Sequence, residues 1–132
     1  MKQGGVKIQQ CVSCFIFNQR PPLKVSHPLK VLLIQREKDP FKGRWTVPGG
    51  RQEMNENYLQ ATQREVKEEV GLDVELLRPE RPDFAYEMIS PEKYHFLILS
   101  SAAVLKSEKI HPEKEDILAK WFTCGLDPNI IY

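Results

Sequence analysis

One long amphipathic segment, from Asn57 to Val70, constrains the fold more than any other part of the sequence. Its apolar residues Leu59, Val66 and Val70 recur at the spacing of one face of an α-helix. Gly71 follows directly, at a position where glycine commonly ends a helix. The other apolar segments are bounded by proline or glycine and rich in β-branched and aromatic residues, which is typical of strands. One helix among six or seven strands predicts a mixed sheet in an α/β or α+β fold.

The predicted strands lie on both sides of this helix in the chain. They cover residues 6–18, 31–36, 45–47, 73–77, 84–89, 94–105 and 118–123, and Pro48-Gly49-Gly50 is expected to stop the third. The runs 31–34 and 96–99 are continuously apolar, which is typical of strands buried on both faces of a sheet. No linker composition interrupts the chain, so we predict a single domain over residues 1–132.

The charge balance narrows the classes of partner. The chain has 19 Lys and Arg residues against 18 Asp and Glu residues, a net charge of +1. A net charge this close to zero gives no electrostatic basis for a stable nucleic-acid complex or for binding to a membrane surface. Its longest apolar run is too short to cross a bilayer, and no signal peptide is evident. Three cysteines are too few for a disulfide framework, so we expect a cytoplasmic protein.

Three glutamates share one face of the predicted helix. Glu65, Glu68 and Glu69 fall within about 100° of one another on a helical wheel, beside the apolar stripe. Glu65 and Glu69 are a like-charge pair at i, i+4, which destabilises a helix. Arg64 is spaced to reach Glu68, but no cation at helical spacing neutralises Glu65. Clustered carboxylates suit a hard cation such as Mg²⁺, and an ordinary solvated acidic face is the alternative.

The residues around this helix carry a resemblance to a known family. The stretch from Gly50 to Leu72 resembles the Nudix box, G-x5-E-x7-R-E-U-x-E-E-x-G-U with U aliphatic. The fixed positions are all matched, by Gly50, Glu56, Arg64, Glu65, Val66, Glu68, Glu69, Gly71 and Leu72. The segments 44–50 and 120–122 also resemble the family, so the likeness extends over most of the chain.

The resemblance implies both a fold and a reaction. The fold is an α/β/α sandwich with a mixed central sheet and the box helix on one face. The reaction is Mg²⁺-dependent hydrolysis, with Mn²⁺ as the alternative metal, of a nucleoside diphosphate linked to another moiety. A nucleoside triphosphate or a dinucleoside polyphosphate fits this small form of the family. A catalytically silent nucleotide-binding or regulatory module is the alternative, but such relatives usually lose box glutamates that this chain keeps.

The resemblance also assigns roles to individual residues. Glu56 and Arg64 are implied to form a structural ion pair between loop and helix. The implied metal ligands are Glu65, Glu68 and Glu69 together with the carbonyl of Gly50. The general base comes either from the box, as Glu65, or from a later acidic loop in which we favour Glu115.

Substrate-binding candidates are less distinctive. Arg36 and Arg44 are placed to reach phosphates, with surface solubility as the alternative role. Tyr86 is a candidate to stack on a base, although core packing is the alternative at strand spacing.

Two departures from the family pattern affect these expectations. Asn55 stands where most members carry glycine, a mild change because asparagine tolerates left-handed backbone. After Trp121 the chain has few residues for the late helix that usually covers the second sheet face. An uncovered apolar face favours a homodimer. The alternative is that the tail, including Leu126 and Ile130, folds back on the sheet as a short turn.

Overall fold

A mixed sheet with one helix packed against it makes up the described part of the chain. The computed structural model describes residues 7–24, 26–39, 41–106, 118–124 and 130–131. In chain order the elements are β1 (Ile8–Phe17), β2 (Lys30–Gln35), β3 (Trp45–Thr46), β4 (Gly49–Arg51), α1 (Tyr58–Val70), β5 (Val74–Leu76), β6 (Phe84–Ser90), β7 (Tyr94–Leu105), β8 (Ala119–Thr123) and β9 (Ile130–Ile131).

Strands β1 and β7 form the centre of the sheet. They pair in parallel from Ile8 opposite His95 to Phe17 opposite Val104. Strands β5 and β6 pair with β7, β4 and β2 pair with β1, and β3 and β8 pair with β2, all antiparallel. Strand β9 is parallel to β3. Parallel and antiparallel pairs in one sheet confirm the predicted mixed sheet and α/β class.

Helix α1 begins and ends where the sequence predicts. The Asn57 side chain accepts a hydrogen bond from the Gln60 backbone N–H, and the Gln60 side chain accepts one from the Asn57 N–H. This reciprocal capping box satisfies two backbone donors at the helix start. At the other end Gly71 adopts a left-handed φ of 67° and its N–H donates to the Lys67 carbonyl. Short-range capping therefore fixes both ends of the helix.

A second helical layer is not present among the described residues. Helix α1 is the only α-helix in the described part of the chain, which does not include residues 107–117 and 125–129. The second layer of the predicted sandwich thus stays a prediction. Within the described ranges, no helix is long and apolar enough to cross a membrane.

Each face of the sheet carries its own apolar cluster. On the helix side, Leu32 packs with Val66 in the larger cluster. On the opposite side, Val31 and Leu33 pack with Val47 and are 1%, 0% and 4% exposed. Alternate residues of β2 thus enter different clusters, as its continuous apolar run predicts. Because Val31 and Leu33 are buried within one chain, the argument from an uncovered sheet face lapses, and the homodimer stays a prediction.

Two short strands differ from the sequence-based prediction. Gly49–Arg51, expected only as a stop, is a strand whose Gly49 lies opposite Ser13 of β1. A Cβ at Gly49 would overlap the carbonyl oxygen of Val12 and lie 2.9 Å from the Ser13 Cα, so this pairing depends on glycine. In the tail, Ile130–Ile131 lies beside β3 as a strand rather than as the turn considered from sequence.

We predict that Gly49→Ala destabilises the fold by about 2 kcal/mol or more, because the added Cβ forces β4 away from β1. Chemical denaturation monitored by circular dichroism measures the free energy of unfolding. Arg51→Ala is the matched control, since Arg51 lies in the same strand with an exposed side chain and its substitution should change that free energy by less than about 0.5 kcal/mol. Equal stability of the two variants would contradict the close approach of β4 to β1.

Candidate active site

The Arg64 guanidinium joins helix α1 to the loop that precedes it. Its Nε and Nη2 donate to the two carboxylate oxygens of Glu56 at 3.0 and 2.7 Å, and Nη2 also donates to the Arg51 carbonyl at 2.9 Å. Its Nη1 donates to Glu65 at 2.9 Å and to Glu68 at 3.3 Å. Glu65 therefore has a cationic neighbour, contrary to the expectation from helical spacing, because the long Arg64 side chain reaches the adjacent residue.

The ion pair of Glu56 with Arg64 shifts the pKa values of both groups. Hydrogen bonds from Arg64 hold the pKa of Glu56 below its ordinary value, and the Glu53 backbone N–H adds to this effect. The same hydrogen bonds to Glu56 raise the pKa of Arg64. Both side chains are mostly shielded, with 23% of Arg64 and 15% of Glu56 exposed. The bidentate pair is therefore charged near neutral pH and holds the loop in a fixed position.

The two glycines of β4 let helix carboxylates approach the backbone. A Cβ at Gly50 would lie 2.5 Å from Oε2 of Glu65. The Gly49 N–H donates to Oε1 of Glu69 at 2.8 Å. Any larger residue at Gly50 would displace the Glu65 carboxylate. Strand β4 thus places one edge of the backbone directly against two of the three glutamates.

The oxygen atoms that strand β4 and helix α1 bring together are of the type that binds hard divalent cations. Carboxylate oxygens and a backbone carbonyl are the ligands that Mg²⁺ and similar ions take. In the described residues, however, no three acidic, histidine or cysteine side chains are already gathered around one point. Glu68 contacts Arg64, and Glu69 accepts from Gly49. Bringing three carboxylates onto one ion therefore requires a change of partner on this helix face.

A cavity of about 350 Å³ opens beside Glu69 and the two glycines. One part of its lining is polar or basic and includes Arg36, Lys38 and Arg51. Another part comes from strands β6 and β7 and includes Tyr86, Met88, Phe96 and Ile98. The volume is that of a small-molecule site, and the lining suits a ligand with a charged end and a flat apolar end.

Two of the three predicted substrate residues line this cavity. Arg36 and Tyr86 do, whereas Arg44 is not among the lining residues. The Arg44 guanidinium instead lies 5.5 Å from the centre of the Phe41 ring. Phe41 itself lines the cavity and was missed from sequence, because nothing in its loop position signalled a site. Glu115, the favoured general base, lies outside the described residues.

Tyr86 is held in the cavity wall by a polar cluster. Its hydroxyl hydrogen-bonds with Ser13 and Ser100, whose own hydroxyls lie 2.5 Å apart. Burial raises the pKa of Tyr86 above its ordinary value, and these hydrogen bonds oppose the rise. Tyr86 is therefore neutral near pH 7, and its role in the wall is that of a polar-tipped aromatic surface.

Comparison with known proteins gives a consistent match. The model of the NUDIX domain matches residues 7–125. The chain is 38% identical over 95 residues to the 8-oxo-dGDP phosphatase of Homo sapiens, covering 70% of this chain and 28% of that protein. It is 51% identical over 43 residues to the ADP-ribose pyrophosphatase of Methanocaldococcus jannaschii, covering 33% of this chain and 25% of that protein. The chain thus spans little more than a quarter of these relatives' length.

Solved structures agree in fold. A MutT/nudix family protein from Enterococcus faecalis aligns with a TM-score of 0.66 at 26% identity, covering 93% of this chain and 46% of that one. A NUDIX family hydrolase from Clostridium perfringens aligns with a TM-score of 0.71 at 24% identity, covering 93% and 88%. At 24% identity, the similarity to the Clostridium perfringens structure supports the fold alone.

We predict that Glu56→Gln lowers the melting temperature near neutral pH by several degrees, because the neutral amide loses the charged pair with Arg64. Since the pKa of Glu56 is lowered in the folded state, its stabilisation is present above the unfolded pKa and disappears as pH falls through the folded pKa. The gap between wild type and variant should therefore narrow in acid, which thermal melts over a pH series measure.

Glu53→Gln is the matched control for this measurement. Glu53 also approaches Arg64, at 3.7 Å, but its side chain is 68% exposed. An exposed pair contributes little, so this variant should melt close to wild type at every pH. If Glu53→Gln and Glu56→Gln behave alike, the bidentate pair has no special structural role.

Proposed function

The chain belongs to the NUDIX domain family, and on that premise we propose that it is a divalent-metal-dependent pyrophosphohydrolase. The observation that carries this proposal is the placement of Glu65 and Glu69 against Gly49 and Gly50, beside a cavity with basic lining. Retention of every box glutamate favours catalysis over a silent nucleotide-binding module.

The proposed substrate is a small molecule in which a nucleoside diphosphate is linked to another group. Nucleoside triphosphates and dinucleoside polyphosphates are included in this class. The names of the relatives, an 8-oxo-dGDP phosphatase and an ADP-ribose pyrophosphatase, support diphosphate-containing nucleotides as well. The three cysteines are free thiols, which supports a reducing compartment such as the cytoplasm as the place of action.

We assign the metal to Mg²⁺, with Mn²⁺ as the alternative. Its proposed ligands are Glu65, Glu68, Glu69 and the carbonyl of Gly50. When bound, the cation neutralises the pyrophosphate and lowers the pKa of a coordinated water. The Arg64 hydrogen bond to Glu65 restrains the carboxylate nearest Gly50 and so limits the reorganisation that binding requires.

The residues of the chain supply the remaining requirements of hydrolysis. A water oxygen attacks one phosphorus, the bridging P–O bond breaks, and the bridging oxygen leaves with the other phosphate. A carboxylate must accept the proton of the attacking water, and we propose Glu115, with Glu65 as the alternative. Arg36 and Arg51 line the cavity, where their charges favour a phosphate that gains negative charge in the transition state.

The direct test is a phosphate- and pyrophosphate-release screen of the purified chain. The panel contains nucleoside triphosphates, dinucleoside polyphosphates, ADP-ribose and 8-oxo-dGDP, each with Mg²⁺, with Mn²⁺ or with a chelator. We expect cleavage of at least one nucleotide in metal and none in chelator. Metal-independent cleavage, or none on the whole panel, would overturn the proposal.

We predict that Glu69→Gln lowers turnover by roughly 100-fold or more, since a proposed metal ligand loses its charge. The amide oxygen of glutamine still accepts from the Gly49 N–H, so the melting temperature should stay near that of wild type. Glu68→Gln should behave similarly. Glu80→Gln, an exposed glutamate outside the cavity, is the control and should retain full turnover. Wild-type rates in both Glu68→Gln and Glu69→Gln would remove this helix face from the active site.

We predict that Glu115→Gln lowers kcat by about 100-fold or more with a smaller change in KM, because proton removal acts in the transition state. Steady-state kinetics of Glu115→Gln beside Glu65→Gln separates the two candidate bases. A silent Glu115→Gln together with an inactive Glu65→Gln would move the base into the box.

A further inference from the structure

Phe41 has a backbone conformation that a bulky side chain rarely adopts. Its φ is +65°, in the left-handed region, where Cβ crowds the backbone of any residue except glycine. Asn55 and Glu92 are the other described non-glycine residues with positive φ, and asparagine is the type that best tolerates it. A phenylalanine at such a position is strained, and strain of this kind clusters at binding sites.

Hydrogen bonds on both sides hold the loop that carries Phe41. The Arg36 N–H donates to the Arg44 carbonyl at 2.8 Å, and the Gly43 N–H donates to the Arg36 carbonyl at 2.9 Å. The Arg44 N–H donates to the Phe41 carbonyl itself at 3.1 Å, and the Gln35 side chain donates to Gly43 at 2.9 Å. The loop is therefore braced at its base, which is what keeps a strained residue in place.

Packing of the ring within the chain does not account for this strain. Phe41 belongs to neither of the apolar clusters that the described residues form, and it is 38% exposed. One contact is with Arg44, whose guanidinium lies 5.5 Å from the ring centre and restrains the ring's orientation. Phe41 also lines the cavity beside Glu69, and it comes from the loop between β2 and β3 whereas Tyr86 and Phe96 come from β6 and β7.

We propose that Phe41 is a stacking surface for the aromatic base of the substrate, an inference that rests on the proposed function. With the base stacked on Phe41, the phosphates would contact Arg36, Arg51 and the backbone of the two β4 glycines, which line the same cavity. Base–aromatic stacking tolerates any base, since every base has a flat π-face. Phe41 therefore contributes affinity for nucleotides over base-free phosphates rather than choice among bases.

The test compares ADP with ribose 5-diphosphate, which has the same phosphate chain without a base. Titration calorimetry in Mg²⁺ gives the Kd of each for the wild-type chain and three variants. We expect Phe41→Gly to weaken ADP binding about tenfold or more and to leave ribose 5-diphosphate unchanged. Phe41→Tyr keeps the ring and should bind both as wild type does.

Glu92→Gly is the matched control for backbone strain. Glu92 has a φ of +70°, is exposed in the turn between β6 and β7, and does not line the cavity. Both glycine variants should melt at or above the wild-type temperature, because glycine adopts positive φ without strain. Only Phe41→Gly should lose ADP affinity, which separates the role of the ring from the role of the loop backbone.

Three outcomes would overturn the inference. They are equal wild-type affinity for ADP and ribose 5-diphosphate, unchanged ADP binding in Phe41→Gly, and equal weakening of both ligands in that variant. Failure of the proposed function has a different signature: the wild-type chain binds ADP more tightly than ribose 5-diphosphate but hydrolyses nothing on the nucleotide panel. That result would leave the stacking surface standing in a nucleotide-binding protein without hydrolase activity.

Discussion

The contacts of one guanidinium organise the site. Arg64 donates to both oxygens of Glu56, to the Arg51 carbonyl and to the carboxylates of Glu65 and Glu68. The loop before the helix, the end of β4 and the acidic helix face are thereby fixed relative to one another. A fixed guanidinium also offsets the repulsion that adjacent carboxylates would otherwise exert on the helix. The acidic face is therefore compatible with a folded helix through the contacts of Arg64 alone.

Close backbone approach is the second constraint on which the site depends. Strand β4 lies between β1 and helix α1. A Cβ added at one of its glycines would overlap β1, and a Cβ added at the other would overlap a side chain of α1. Gly49 faces the Val12 carbonyl, and Gly50 faces the Glu65 carboxylate. Two consecutive glycines thus serve two purposes, since one permits the strand pairing and the other admits the carboxylate. With only one of these glycines, either the pairing of β4 with β1 or the position of the Glu65 carboxylate would be lost.

The cavity is lined both by strands of the sheet and by a loop with a strained backbone. Its floor belongs to β1, β6 and β7, where Tyr86 is fixed by Ser13 and Ser100. A short loop also contributes to its lining, and there Phe41 has a costly backbone conformation and is 38% exposed. Stability given up at one exposed residue is typical of binding surfaces, because a ligand recovers the contacts that the free protein lacks.

Local rules in the sequence determined the helix with its caps, the seven strands other than β4 and β9, and the acidic face of the helix. Asn57, Gly71 and the alternating apolar runs act over a few residues, so their signals are readable without a fold. The contact of Arg64 with Glu56 lies in the same short stretch, and the family pattern implies it. Tertiary structure alone decided that Gly49–Arg51 is a strand, that Arg44 lies on Phe41 outside the cavity lining, and that Phe41 lines the cavity. The strand at Gly49–Arg51 depends on contacts between residues far apart in the chain, such as Gly49 with Val12. The placement of Phe41 depends on a left-handed backbone, which the residue type phenylalanine does not signal.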